Sequence, residues 1–202
     1  MGKSELNEFK DVIKKVENKL IVAKKIYAAS IFTLWLLAMS LCYVIFSFNF
    51  RIATIFLFGG YWITICVAVF YFSTLLYKRY FAIERNCKRA KGYKYKILLS
   101  WIFGSVVGFL IIPHLLNNVL SDNLIFSISL LSTIAVSLFG QFLVLKDFEI
   151  IPSILFTFSG TLILTFFHDH LTITPITWTG YIIALGYLST IILYLASVFK
   201  CE

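Results

Sequence analysis

Charged residues are scarce in this chain of 202 residues. They make up 14% of the composition, while hydrophobic residues make up 60%. Soluble domains carry about 25% charged residues. A chain this poor in charge and this rich in apolar side chains is not an ordinary soluble domain. The composition therefore predicts an all-α polytopic membrane protein.

Cysteine is also scarce, with four residues in the chain. These are Cys42, Cys66, Cys87 and Cys201, and no CxxC pair occurs among them. The missing pair argues against a redox relay and against a thiolate zinc site.

Lys, Arg, Asp and Glu are absent from six long runs of the sequence. The runs are Tyr27–Phe48, Ile52–Leu76, Ile97–Leu116, Leu124–Leu145, Ile150–Phe167 and Ile176–Phe199. A bilayer core about 30 Å thick needs ~20 apolar residues in a helix to cross it. We therefore predict six transmembrane helices, which together form one membrane domain over residues 26–202.

The basic residues concentrate between these runs, above all in the segment Tyr77–Lys96. Positively charged loops stay in the cytosol, so this segment predicts the orientation of the protein. With both termini in the cytosol, every Lys and Arg except Arg51 lies on the cytosolic side. No cysteine then faces the oxidising side, which argues against structural disulfides.

The basic segment 77–96 is also a candidate contact surface for anionic lipid headgroups or for a protein partner. Its basic residues are Lys78, Arg79, Arg85, Lys88, Arg89, Lys91, Lys94 and Lys96. Because they flank membrane spans, topology explains them better than nucleic-acid binding does. No helix breaker occurs from Leu76 to Ala90, and Gly92 follows, so we expect the second transmembrane helix to continue to about Lys91.

Residues 1–25 form a second charged region, and this one is patterned. Its apolar residues follow a 3,4 spacing that is typical of an amphipathic helix, namely Leu6, Phe9, Ile13, Val16, Leu20 and Ala23. Neither glycine nor proline occurs from Lys3 to Leu57, so the helix could run unbroken into the first span. It would either lie on the cytosolic lipid surface or dock a partner protein.

Small polar residues recur every four positions in the fourth and fifth spans. The first row is Ser129, Thr133, Ser137 and Gln141, and the second is Ser153, Thr157, Thr161 and Thr165. The short connection between the spans predicts an antiparallel hairpin in which the two rows face each other. Such rows hold helices together more often than they form a path for a substrate.

Ser100, Gly104 and Gly108 form a stripe of small residues on the third span. A GxxxG pair allows two helices to approach closely, so we predict a packing face within the chain or between two copies of it.

Proline and aspartate suggest where three helices bend or begin. Pro113 falls inside the third span and should kink it. Asp147 is placed to cap the fifth helix ahead of Pro152, and Pro175 suits the first turn of the sixth.

All three histidines fall on the predicted outer side. His114 ends the third span, and His168, Asp169 and His170 follow the fifth. Imidazoles with a carboxylate are a candidate site for a divalent metal or haem, although no HExxH or HxxxH spacing accompanies them. Ordinary interfacial histidines and a pH sensor are the other interpretations.

The sequence contains no intramembrane catalytic motif. Apart from His114, no ionisable acid or base lies within the spans, which weakens the case for an ion-coupled carrier. We therefore expect a non-enzymatic, multi-pass protein, in the plasma membrane rather than an organelle. Its expected role is that of a transport-related or membrane-complex subunit. The alternative is an intramembrane metal- or haem-binding enzyme that uses the outer histidines.

Overall fold

A computed structural model describes residues 3–47, 60, 64, 65, 67–69, 71–79, 87–116 and 120–199. All regular structure within these residues is helical, and they contain no strand. This confirms the prediction of an all-α protein.

Six helices organise the described residues. They are α1 (Lys3–Ser47), α2 (residues 71–79), α3 (Cys87–Val106), α4 (Asp122–Leu145), α5 (Ile151–Phe167) and α6 (Pro175–Phe199). After α3 the chain stays helical through a π-helical stretch (Val107–Ile111) and a last α-helical stretch (Ile112–Leu116). Short 3-10 helices precede and follow α5 (Phe148–Ile150 and His168–His170).

Five helical stretches in the described part of the chain are long and apolar enough to cross a membrane. They are Glu8–Leu41, Tyr95–Leu116, Asp122–Leu145, Phe148–His170 and Pro175–Phe199. They correspond to five of the six predicted spans, and the helices are compatible with an integral membrane protein. About half of the predicted second span, residues 52–76, lies outside the described residues, and its described residues are helical.

Helix α1 joins the amphipathic N-terminal region to the first apolar run without a break, as the missing glycine and proline predict. Its 45 residues extend for ~68 Å at ~1.5 Å per residue. The bilayer core is only about 30 Å thick. A large part of α1 therefore extends beyond any membrane that its apolar part crosses.

The prediction for the end of the second helix is wrong. Cys87 begins α3, and Gly92 lies inside that helix rather than after the end of the previous one. Gly92 is exposed, and a Cβ placed there would meet nothing within 4 Å. A glycine in an exposed helix costs only about 1 kcal/mol relative to alanine, which the rest of a long helix compensates.

Pro113 follows directly after the π-helical stretch. The amide of Ile112 donates to the carbonyl of Val107, five residues earlier. Proline has no N–H with which to continue the normal ladder, and a π-helical turn is one way in which a helix adapts to that loss. The distortion that the sequence predicts near Pro113 therefore takes this form.

The two predicted helix starts have different outcomes. Helix α6 begins at Pro175, and the Thr174 hydroxyl accepts a hydrogen bond of 3.3 Å from the amide of Thr177. Asp147, however, makes no side-chain capping bond, and the prediction that it caps the fifth helix is wrong. Its carboxylate accepts a hydrogen bond from Tyr194 of α6 instead.

The helices pack around α4, which contacts α3, α5 and α6, while α1 packs along α6. Apolar residues on several faces of α4 are almost fully buried, including Ile128, Leu131, Ile134 and Leu138. The connection between α4 and α5, residues 146–150, marks one end of the bundle, which we call the turn end. Lys25 of α1 and Tyr194 of α6 reach this end, where they contact Glu149 and Asp147.

Candidate functional site

The polar row of α4 packs against the small residues of α3. A Cβ placed on Gly104 would lie 2.7 Å from the carbonyl oxygen of Thr133 and would also overlap the Ser137 hydroxyl. One placed on Gly108 would lie 2.5 Å from the carbonyl oxygen of Ser129. Only glycine permits this approach, so the GxxxG pair is the contact face of α3 on α4.

The polar row of α5 begins against a different helix, α6. The Ser153 hydroxyl donates to the carbonyl of Gly186 over 2.9 Å and lies 2.7 Å from the hydroxyl of Thr190. Gly186 lies beneath Ser153, with 3.2 Å between its hypothetical Cβ and the Ser153 Cα. Gly160 packs closely on Ile182 in the same interface. We call the α3–α4 and α5–α6 interfaces the two seams.

For Ser129, Thr133, Ser137 and Ser153, the prediction that the two rows face each other is therefore wrong. Ser129, Thr133 and Ser137 lie against α3, whereas Ser153 lies against α6. The hydroxyls of Thr157, Thr161 and Thr165 bond to carbonyls of their own helix. A stripe with helical periodicity defines a face, but the stripe does not determine which neighbouring helix covers that face.

The α3–α4 seam contains the two glycines at which a contact between two copies of the chain was predicted. Gly104 and Gly108 are both buried against α4. This contact within the chain accounts for the motif. It leaves no room at these two glycines for a second copy in this arrangement.

The histidines do not assemble into a metal centre among the described residues, where no group of three or more His, Cys, Asp or Glu side chains lies close enough to hold an ion. His168 Nε2 lies 3.3 Å from the Asp169 carboxylate. His114 and His170 are both exposed.

Part of the predicted basic contact surface is visible in the structure. The side chains of Lys78, Arg79 and Lys96 are exposed. Lys88, Arg89, Lys91 and Lys94 belong to the start of α3, but their side chains lie outside the described residues, as does all of Arg85.

A cavity of about 460 Å³ lies toward the turn end, among α1, α2, α3, α4 and α6. Sites for small molecules commonly have volumes of ~300–1,000 Å³. Its walls are mainly apolar and aromatic, and the described lining residues are Ile31, Phe32, Trp35, Ser73, Thr74, Tyr77, Ile97, Leu98, Trp101, Leu138, Gln141 and Tyr187. We call this space the central cavity.

Aromatic rings make up much of the wall. Trp35 of α1 stacks on Trp101 of α3, with 5.9 Å between ring centroids and 13° between ring planes. Phe32 meets Tyr187 of α6 edge to face at 5.5 Å. These pairs hold α1 to α3 and α6 across the space, and aromatic pairs add ~0.5–1.5 kcal/mol each beyond the burial of their area.

Helices α2 and α4 contribute serine, threonine, tyrosine and glutamine side chains to the cavity lining. The amide nitrogen of Gln141 donates to the Tyr77 hydroxyl over 3.2 Å. Ser73 lies one helical turn before Tyr77 and is only 7% exposed. Its hydroxyl has no hydrogen-bond partner among the described residues.

A charged cluster lies beside the cavity at the turn end. Lys25 pairs with Glu149, and its ammonium group lies 5.4 Å from the centre of the Tyr194 ring. Tyr194 in turn donates to Asp147 over 3.3 Å. A much smaller space of about 10 Å³, lined in part by Tyr77, Gln141 and Asp147, lies between this cluster and the central cavity.

Sequence reasoning missed both the cavity and this cluster. Lys25, Asp147 and Glu149 lie at the ends of apolar runs, where charged residues are expected for topology alone. The available signal was the pair of acids in a connection of only a few residues, next to a span with Gln141 in its last turns. It could not show that Lys25, more than a hundred positions away, is their neighbour.

Comparison of the chain with protein-family models, with curated proteins and with solved structures found no match. A functional argument must therefore rest on the residues and their geometry. The central cavity, the charged cluster and the amphipathic part of α1 are the features that packing of the bundle does not by itself require.

Proposed function

We propose that this chain is a six-span membrane protein with both termini in the cytosol that acts, without catalysing a reaction, as a subunit of a membrane complex. The turn end is its cytosolic end, where exposed basic side chains contact anionic headgroups and the amphipathic part of α1 docks a partner protein. The continuity of α1 is the observation that carries the docking role.

The charge distribution supports the orientation. Lys25 contacts the α4–α5 connection, and Tyr77, which precedes Lys78 and Arg79, contacts Gln141 near the end of α4. The basic regions of the sequence thus flank a single end of the bundle. A bilayer orients such a protein with its positive end toward the cytosol.

The unbroken α1 favours a protein partner over a lipid surface for the N-terminal region. A helix that crosses the bilayer and then lies flat on it must bend sharply, and sharp bends occur at proline, at glycine or at a π-bulge. From Lys3 to Ser47 helix α1 has none of these. Its N-terminal part therefore extends away from the bilayer.

The apolar stripe of that extension is uncovered. Phe9, Val16 and Ile13 are exposed by 57%, 52% and 42%. Exposed apolar residues at 3,4 spacing are the contact face that one helix presents to another.

The orientation is tested by labelling with a membrane-impermeant maleimide. Cys87 and Cys201 should react only after cells are opened. As a control, Arg51→Cys in a cysteine-free background should react in intact cells. Reaction of Cys87 or Cys201 in intact cells would contradict the orientation.

The docking role is tested by the size of the complex extracted from native membranes with mild detergent. The unmodified chain should migrate on native gels as a larger assembly, and the double variant Ile13→Gln/Val16→Gln should migrate as the chain alone. The control Lys14→Gln/Lys15→Gln changes the polar face and should leave the assembly intact. An assembly that survives in the stripe variant would refute the docking role.

A further inference from the structure

We propose, beyond the role as a complex subunit, that the small space between the charged cluster and the central cavity is a binding site for one water molecule. The water donates one hydrogen bond to the amide oxygen of Gln141 and the other to the carboxylate of Asp147. Both residues line this space, which we call the water site.

The size of the water site limits what can occupy it. Its volume is about 10 Å³. A space of ~10–15 Å³ is the smallest that holds one water molecule. Ala28, Ile31, Phe32 and Leu145 form the apolar part of its wall. The space therefore fits one water molecule and no organic ligand.

The rest of the wall can hold a water molecule by hydrogen bonds. Polar atoms form a larger share of this wall than of the wall of the central cavity. The polar side chains are Tyr77 of α2, Gln141 of α4, Tyr194 of α6 and Asp147 of the α4–α5 connection. A buried water molecule needs about two to four polar partners, and these side chains can supply them.

Gln141 supplies the first acceptor. Its amide nitrogen donates to the Tyr77 hydroxyl over 3.2 Å, whereas its amide oxygen makes no hydrogen bond among the described residues. In the described part of the chain, the polar atoms that are both fully enclosed and unpartnered belong to Ser73, Ser129, Ser137, His168 and Trp178. The oxygen of Gln141 is therefore open to a space that the side chain lines.

Asp147 identifies which space this is and supplies the second acceptor. Gln141 lines both the central cavity and the water site, but Asp147 lines only the water site. Asp147 is 8% exposed, and its carboxylate accepts a hydrogen bond of 3.3 Å from Tyr194. A carboxylate has about four lone-pair positions, so it can accept from a water molecule as well as from its protein partners. Two acceptors on one small space require a molecule with two donor hydrogens, and water is the smallest such molecule.

A metal ion fits the water site less well. Ca²⁺ takes about six to eight oxygen ligands. Asp147 is the one charged side chain among the described residues that line the space. Lys25 already brings a positive charge to the neighbouring Tyr194, 5.4 Å from the centre of its ring. These features favour a neutral donor over a cation.

The water molecule joins two hydrogen-bonded pairs into one network. The Tyr77–Gln141 pair belongs to α2 and α4, and the Tyr194–Asp147 pair belongs to α6 and the α4–α5 connection. Tyr194 in turn contacts Lys25, which pairs with Glu149. The bound water thus links the wall of the central cavity to the charged cluster, and buried waters of this kind are costly to remove.

The test is radiolytic labelling of the full chain in nanodiscs. A short X-ray pulse converts a bound water molecule into a hydroxyl radical in place, and the radical oxidises the buried side chains beside it. Tyr194 is only 1% exposed, yet it should be oxidised because it lines the water site. Absence of oxidation at Tyr194 would overturn the proposal.

A variant that fills the water site shows whether the radical arises there. Ala28→Val enlarges a side chain of the wall and should lower the oxidation of Tyr194 several-fold. Tyr187 is equally buried but does not line the water site, so its oxidation should not change. Ala196→Val makes the same substitution at an exposed position of α6 and should leave both tyrosines as in the unmodified chain. Oxidation of Tyr194 that Ala28→Val does not lower would contradict the proposal.

A second variant removes the acceptor without filling the space. Gln141→Met keeps the approximate size of the side chain, and it should also lower the oxidation of Tyr194. Thermal unfolding shows whether each variant is folded, and Gln141→Met decides the matter if Ala28→Val does not fold. Unchanged oxidation in a folded Gln141→Met variant would show that the amide oxygen does not hold the water, and the proposal would fail.

Salt dependence separates a water molecule from a bound cation. The melting temperature of the unmodified chain should be the same in sodium, potassium and choline chloride at equal ionic strength. A higher melting temperature in sodium or potassium chloride that disappears in Asp147→Asn would assign the site to a cation and overturn the proposal. The role of the chain as a complex subunit is independent of either result.

Discussion

The two seams and the central cavity show opposite ways of joining helices. At the seams, glycine allows the backbone of one helix to touch the next, and the space left is too small for even one added methyl group at Gly104 or Gly160. Around the cavity, aromatic side chains of α1, α3 and α6 meet through their rings, and a space of about 460 Å³ remains among the helices.

The seams are the regions where close packing stabilises the bundle, and the central cavity is the region where space remains between the helices. Without water around the spans, close van der Waals packing is the main attraction between helices in a membrane. The seams supply that packing. The cavity lacks it, although α1 packs along α6 and the charged cluster at the turn end joins α1 to the α4–α5 connection.

The largest change in the free energy of unfolding is expected for the charged cluster. Lys25→Met removes the partner of Glu149 and leaves a mostly buried carboxylate unpaired. The expected loss of unfolding free energy is about 3 kcal/mol, measured by SDS titration of the purified protein. The double variant Lys25→Met/Glu149→Gln should recover more than half of that loss. Equal losses in the single and double variants would show that the pair is not coupled.

The seam between α3 and α4 should show the next largest effect. Gly104→Ala places a methyl group against the backbone of Thr133 and should cost about 2 kcal/mol in the same titration. Gly92→Ala makes the same change in α3 where nothing lies within 4 Å, and there the stability should rise by up to about 1 kcal/mol. Similar effects at the two glycines would remove the distinction between seam and open surface.

The hydrogen bonds of the α5–α6 seam should contribute less than its packing. Ser153→Ala removes the bond to the Gly186 carbonyl and the contact with Thr190, and it should cost about 1 kcal/mol. Ser159→Ala is the matched control, because that hydroxyl bonds only within its own helix in the described structure. A loss at Ser159 as large as that at Ser153 would contradict this account.

The smallest effect on stability is expected at the cavity wall. Leu98→Trp enlarges a side chain that lines the cavity and is 49% exposed, so the unfolding free energy should change by less than about 1 kcal/mol in either direction. Gly160→Ala adds a single methyl group 2.7 Å from a methyl carbon of Ile182 and should cost more than that. The reverse order would mean that the cavity, and not the seam, is the tighter region.

The sequence predicted the helices well and their ends less well. The predicted spans 97–116 and 124–145 correspond to observed helical stretches Tyr95–Leu116 and Asp122–Leu145. Apolar runs are reliable because a bilayer core demands both their length and their helical form. The predicted end of the second helix near Lys91 failed because a single exposed glycine is too weak a signal to stop a long helix.

The sequence identified the small and polar faces of the helices but not their partners. The row from Ser129 to Gln141 and the GxxxG pair of α3 were both recognised, yet their contact with each other was not. Periodicity within a helix reveals which side chains share a face. The neighbour of that face depends on how several helices pack at once, and no local pattern records this.

The sequence alone determined the composition, the helical class and the long apolar stretches of this protein, because each follows from properties of consecutive residues. Only the tertiary structure decided that Lys25 meets Glu149, that Trp35 stacks on Trp101, and that the Ser73 hydroxyl is buried without a partner among the described residues. These contacts join residues far apart in the chain. They arise from the packing of whole helices, in which every side chain competes for the same limited space.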